Sequence, residues 1–146
     1  MKSIKNIKMS MIEISKKYLE TPYEFEANGN QPREKMDSSC FVQLVMKELG
    51  INISRTTKEQ YKEGKQINIK DMIPGDCIYY DNGKGIEDVG LYIGNNTIIH
   101  TSSVKGKVVE ENTSSHNNIK TIRRFLHQYI KGQFILQTRM NSFKVY

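Results

Sequence analysis

The chain has 146 residues, 37% apolar and 26% charged, with a formal net charge of +6. That length suits one domain with one core, and the balance of apolar and charged residues is that of a globular protein and not of a disordered or fibrous chain. The cations are spread and interleaved with acids instead of forming a basic run with aromatics between, so the charge reads as a solvated basic surface, able to attract an anionic polymer but carrying no specific nucleic-acid signal.

Cys40 and Cys77 lie in the apolar stretches CFVQLV and CIYY, where a free thiol behaves as a small buried hydrophobe, and two cysteines do not make a disulfide scaffold. The opening MKSIKNIKMSMIEISKKYL carries a charge every few residues. It therefore offers neither a signal-peptide apolar region nor a membrane span. The expectation is a chain without an export route of its own: intracellular, released by lysis or a dedicated channel, or cut from a longer protein.

In chain order, Ile7, Met11, Ile14 and Tyr18 follow Ile4 at spacings of three and four, which predicts a first helix ending near Thr21-Pro22. Residues 24–36 are rich in Gly, Asn, Pro and charge and read as a loop. Phe41, Leu44, Val45 and Leu49 mark a second helix, capped by Asp37 or Ser38 and closed by Gly50. Cap-type hydroxyls at 54–57 precede a short helical run that stops at Gly64.

The period then changes. Cys77 to Tyr80, Val89 to Ile93, Thr97 to Thr101, Lys107 to Glu110 and Thr121 to Phe125 are short β-type runs, separated by turn residues such as Asp81-Asn82-Gly83 and Gly94-Asn95-Asn96. Helices first and strands after predict an α+β domain with the helices on an antiparallel sheet of about five or six strands. The whole of 1–146 reads as a single domain, with 127–146 an extension that carries enough apolar residues for an added strand or helix.

Six short pieces carry a resemblance: Thr21-Pro22-Tyr23, Asp37-Ser38-Ser39-Cys40-Phe41-Val42, Arg55-Thr56-Thr57-Lys58-Glu59-Gln60, Pro74-Gly75-Asp76, Asp88-Val89-Gly90-Leu91-Tyr92-Ile93-Gly94 and Ile99-His100. Their order and placing resemble the NlpC/P60 family of papain-like cell-wall peptidases. The resemblance implies the papain-like fold and a cleft for peptidoglycan stem peptides. It aligns Ser38 with the family's nucleophilic cysteine, Asp88 with its general-base histidine and His100 with its third residue, so the first two catalytic positions are substituted. Tyr23, Asp37, Ser39 and Arg55 fall on positions that line the substrate cleft.

Cys40 stands at the family's glycine position, two residues past Ser38 and about 200° round a helix of 3.6 residues per turn, so it should point into packing. A serine hydroxyl needs a positioned base to take its proton. Asp88, with an ordinary carboxylate pKa near 4, is a poor match to that transfer at neutral pH.

Three functions stay open at this point. The domain binds stem peptides with peptidase activity lost or impaired; or it is a peptidoglycan hydrolase using a rearranged set of Ser38, Asp88 and His100, with His100 as base; or it is a scaffold for a protein partner. His116 and His127 sit in polar segments, and no His, Cys and carboxylate grouping has metal-ligand spacing, so neither a metal nor a cofactor is expected.

Overall fold

The computed structural model describes residues 4–115 and 118–126. His116, His127 and the extension 127–146 lie outside the described residues. Helix α1 spans Ile4–Lys16, α2 Ser38–Glu48 and α3 Thr57–Gln60; the strands are β1 Lys65–Ile67, β2 Cys77–Asp81, β3 Ile86–Gly94, β4 Thr97–Ser102, β5 Lys107–Asn112 and β6 Ile119–Arg124. They form one sheet in the order β1-β6-β2-β3-β4-β5, and every pairing is antiparallel. This is the α+β arrangement expected.

Alternation within the strands assigns the two faces. Cys77, Tyr79, Val89, Leu91, Ile99 and Val108 join Ile7, Met11, Phe41, Val42 and Val45 of the helices in one buried cluster. Ile67, Ile78, Tyr80, Ile98 and Ile122 form a second. Gly90 sits between Ile78 and the β4 side chains, where a Cβ would come within 2.8 Å of Ile98 Cδ1. Only glycine lets Ile98 close over β3 there.

The first helix stops at Lys16, short of Thr21-Pro22 where the apolar stripe placed its end. Ser15 turns its hydroxyl back onto the Ile12 carbonyl at 2.7 Å, a bond that competes with the helix. Tight turns follow, from Lys17 N to Ile14 O and from Tyr18 N to Ser15 O, and Glu20 takes a left-handed φ of 73°. Residues 20–23 then run along β5: Glu20 N and Val108 N bond Val108 O and Thr21 O at 2.9 and 2.8 Å, and Tyr23 N reaches Gly106 O at 2.9 Å. The Thr-Pro-Tyr segment thus covers part of an open sheet edge.

Asn95 and Asn96, both at positive φ (51° and 54°), make the tight turn joining β3 to β4, the backbone that a two-residue hairpin favours. The Pro-Gly-Asp piece has an equally local reason. Gly75 has φ 101°, and its absent Cβ would meet Met11 Sδ at 2.9 Å. Asp76 is wholly buried and held by Arg124, Nε to Oδ1 at 2.8 Å and Nη2 to Oδ2 at 2.9 Å. It also accepts from Ile73 N at 2.9 Å.

Candidate active site

Asp37 caps α2 by accepting from Cys40 N at 2.8 Å, which satisfies one of the backbone donors left open at a helix start. Its carboxylate is also gripped by Arg55, Nη1 to Oδ1 at 3.0 Å and Nη2 to Oδ2 at 3.1 Å. Ser39 belongs to the same group, donating to Asp37 Oδ1 at 3.1 Å and accepting from Arg55 Nη1 at 2.8 Å. The other guanidinium donors reach the Ala27 carbonyl at 2.9 Å and the Asn28 amide oxygen. Asp37, Ser39 and Arg55 are therefore bound to one another and tie the loop at 27–28 to the start of α2.

Gln60 locks the next layer. Fully buried, it donates to Ser39 O at 3.1 Å and Ser54 O at 2.7 Å and accepts from the Tyr79 hydroxyl at 3.0 Å.

Ser38 is the first residue of α2. It is 5% exposed. Among the described residues no hydrogen bond uses its hydroxyl. Cys40 faces elsewhere: its Sγ donates to the Gly29 carbonyl at 3.2 Å, beside a cavity of about 300 Å³ lined in part by Asn28, Gln43, Leu44 and Ile53. Burial pushes the Cys40 thiol pKa up and Asp37 adds to this, while Arg55 opposes it. This is the opposite of an activated thiolate.

Helix α2 packs across β3 and β4, which carry Asp88 and His100. The two meet, His100 Nδ1 lying 3.5 Å from Asp88 Oδ2. The sequence reading did not include the residue on the other side of the ring. His100 Nε2 donates to Glu111 Oε2 at 3.1 Å, and Glu111 Oε1 is 3.2 Å from Lys105 Nζ. His100 is 1% exposed.

Burial alone pulls the His100 pKa down, but the hydrogen bonds and charges of Asp88 and Glu111 outweigh it and hold the ring's pKa above its ordinary value. Burial likewise pushes Glu111 up, yet His100 and Lys105 together hold it below the usual carboxylate range. An imidazole flanked by two carboxylates is thereby favoured in its charged form.

Tyr23 is half-buried, and its phenol pKa is raised first by burial and then by the negative charges of Asp37, Asp88 and Glu87. It thus lies within electrostatic reach of both the helix cap and Asp88. The structure brings Asp88 to His100, and Asp37 to Ser39 and Arg55; no direct bond joins Ser38 to Asp88 or His100.

Among the described residues no His, Cys, Asp and Glu grouping could hold a metal ion, and no helix is long and apolar enough to cross a membrane.

Known proteins resemble this chain in sequence and in fold. The "Probable endopeptidase NlpC" of Escherichia coli is 36% identical over 89 residues, 59% of this chain and 56% of that protein. The "Gamma-DL-glutamyl hydrolase" of Bacillus subtilis is 29% identical over 91 residues, 60% of this chain and 22% of that protein. Among solved structures, NlpC2 from Trichomonas vaginalis superposes with a TM-score of 0.74 at 27% identity, covering 86% of this chain and 49% of that one. The peptidoglycan hydrolase RipB from Mycobacterium tuberculosis, at 22% identity and a TM-score of 0.73 over 83% of this chain and 65% of that one, shares the fold. This chain spans between about a fifth and a half of the length of these curated relatives. The NlpC/P60 family pattern matches residues 20–137, and the chain belongs to the NlpC/P60 family.

Proposed function

We propose that this domain binds peptidoglycan stem peptides in an NlpC/P60 cleft without cutting them, with Ser38, Asp88 and His100 in the family's three catalytic positions and Tyr23, Asp37, Ser39 and Arg55 shaping the cleft. The observation that carries the reading is the bracketing of His100: one ring nitrogen faces Asp88 and the other Glu111. A ring with both nitrogens turned to carboxylates presents neither of them to Ser38. Asp88 is no substitute base, since a carboxylate is poorly matched to a serine proton at neutral pH. Losing a matched base costs about 10²–10⁴ in rate, and losing the nucleophile costs about 10⁶ in one serine protease.

The substrate class is supported by relatives whose names describe an endopeptidase and a glutamyl hydrolase. The helix cap that the proposed cleft rests on is intact: Asp37, Ser39 and Arg55 hold the start of α2 in place.

The test is to mix the purified domain with defined muropeptides, reading binding by calorimetry and cleavage by chromatography. Binding without cleavage is the expected result. Cleavage abolished by Ser38→Ala would replace this reading with a serine hydrolase in which His100 turns away from Glu111. No binding and no cleavage would leave the fold as a scaffold for a protein partner.

A further inference from the structure

We infer that Glu111 is a positioning residue of this site: from β5 it accepts a hydrogen bond from Nε2–H of His100 and so fixes the ring with Nδ1 towards residue 88. The inference rests on the placing of residues 88 and 100 in the proposed site, though not on the ligand that occupies it.

The register makes the contact a property of the sheet. On the β4–β5 ladder His100 pairs with Val109 and Ile98 with Glu111. Alternation puts 98, 100, 109 and 111 on one face, and Glu111 is the diagonal neighbour of His100. A ring 1% exposed must find its partners in the protein, because an unpaired polar group at that depth costs more than the bond it lacks.

The two nitrogens of an imidazole are not equivalent: whatever holds one sets what the other presents. Here Nε2 to Glu111, at 3.1 Å, is the shorter contact, and Nδ1 to Asp88, at 3.5 Å, the longer. Glu111 is itself held in place. Its side chain is 11% exposed, and Lys105 Nζ lies 3.2 Å from its second oxygen.

The titratable and charged groups around the ring come from each neighbouring element. Asp88 is on β3, Glu111 on β5 and Lys105 in the turn between β4 and β5. Tyr80, on β2 opposite Asp88, has its phenol pKa raised by burial and then by Asp88 and Glu111. Two of these groups can accept a hydrogen bond from the ring as carboxylates, and of the two Glu111 sits closer, at 3.1 Å against 3.5 Å. With a neutral ring, Glu111 keeps the proton on Nε2 and turns the Nδ1 lone pair towards residue 88, where it could accept from a donor such as a histidine but not from the Asp88 carboxylate.

The test is a pH titration of the full chain labelled with ¹⁵N-histidine, following the His100 ring nitrogens by NMR in the unaltered protein and in Glu111→Gln, Glu111→Leu and Asp88→Asn. The ring is expected to titrate above free imidazole and, once neutral, to carry its proton on Nε2. Glu111→Gln should lower proton affinity about tenfold or more by removing one facing charge, yet keep the proton on Nε2 because the amide oxygen still accepts. Glu111→Leu should move the proton of the neutral ring to Nδ1, towards Asp88. Asp88→Asn should leave it on Nε2.

A neutral ring with its proton on Nδ1 in the unaltered protein, or an unchanged midpoint in Glu111→Gln, would overturn the inference. Should Glu111→Leu not fold, the isosteric Glu111→Gln and Asp88→Asn decide the matter between them. No peptide is needed, so failure here leaves the proposed peptide binding standing, and failure of peptide binding leaves this standing.

Discussion

Arg55 holds Asp37 in a two-pronged ion pair, each terminal guanidinium nitrogen on its own carboxylate oxygen at 3.0 and 3.1 Å, while the same carboxylate caps α2. Two jobs on one side chain can be separated by substitution. Asp37→Asn keeps an oxygen for the cap and loses the charge; Asp37→Ala loses both. An N-cap is worth about 1 kcal/mol, and a hydrogen bond to a charged group about 1.5–3 kcal/mol. Urea denaturation should therefore rank Asp37→Ala as the more destabilising by about 1 kcal/mol. Equal losses would mean that the cap contributes nothing.

Thiol labelling of the native protein separates packing cysteines from an activated one. Cys77 is wholly buried and Cys40 3% exposed, both without a disulfide. Burial raises both pKa values, with Asp76 adding to the effect at Cys77. Both should react slowly with a thiol reagent, Cys77 more slowly than Cys40, and both quickly in denaturant. Rapid native labelling of Cys40 would contradict its placing against the Gly29 carbonyl.

The pH dependence of stability follows from the two shifted partners. The folded state holds the His100 proton more tightly than the unfolded chain, where a histidine titrates near 6.5. This contribution is complete below that pH and is lost as pH rises through the higher folded value. Glu111 is shifted the other way: its contribution is complete above about 4.3 and is lost as pH falls through its lower folded value. Unfolding free energy measured against pH should show a plateau between the two. Asp88→Asn should bring the alkaline fall to lower pH, and His100→Gln should flatten it. An alkaline limb that is the same in His100→Gln would assign it to another group.

Restoring chemistry tests the proposed catalytic positions together. Ser38→Cys alone restores a thiol but leaves residue 88 a carboxylate, which would oppose thiolate formation and cannot act as an imidazolium partner; it should stay nearly inactive. Asp88→His alone supplies a base but leaves a hydroxyl, and only weak activity is expected. The double variant rebuilds a Cys, His, His set, with Glu111 behind His100, and on fragments with a free stem peptide should cleave well above the sum of the single variants. A folded double variant that neither binds nor cleaves any stem peptide would show that the cleft itself has gone.

What could be read from the sequence was whatever repeats a local pattern. The apolar spacing in α2, the alternation in β2 to β6 and the Asn95-Asn96 turn each carry their own signal, and Gly75 and Gly90 sit where a side chain would collide. The three-residue β1 was not legible. Lys65-Gln66-Ile67 has no apolar run, and only its pairing with β6 makes it a strand. Glu111 was missed for a related reason: it is one acid in the polar run Glu110-Glu111-Asn112, and only the β4–β5 register decides which of the two faces His100. Ser15 gave α1 an early end that the stripe of apolar residues could not reveal.

The place of β6 in the sheet has a consequence for how the chain comes to be folded. It pairs with β1 on one side and β2 on the other, so the last described strand completes the middle of the sheet instead of extending its rim. During synthesis, β2 to β5 can pair with their neighbours as they emerge. The other edge of β2, with the sequence CIYY, stays bare until residues 119–124 arrive, and β1 has nothing to join. An apolar strand with one open edge is a template for pairing with another chain, so a product ending before Ile119 should gather into aggregates, while one that includes Arg124 also gains the ion pair that fastens Asp76.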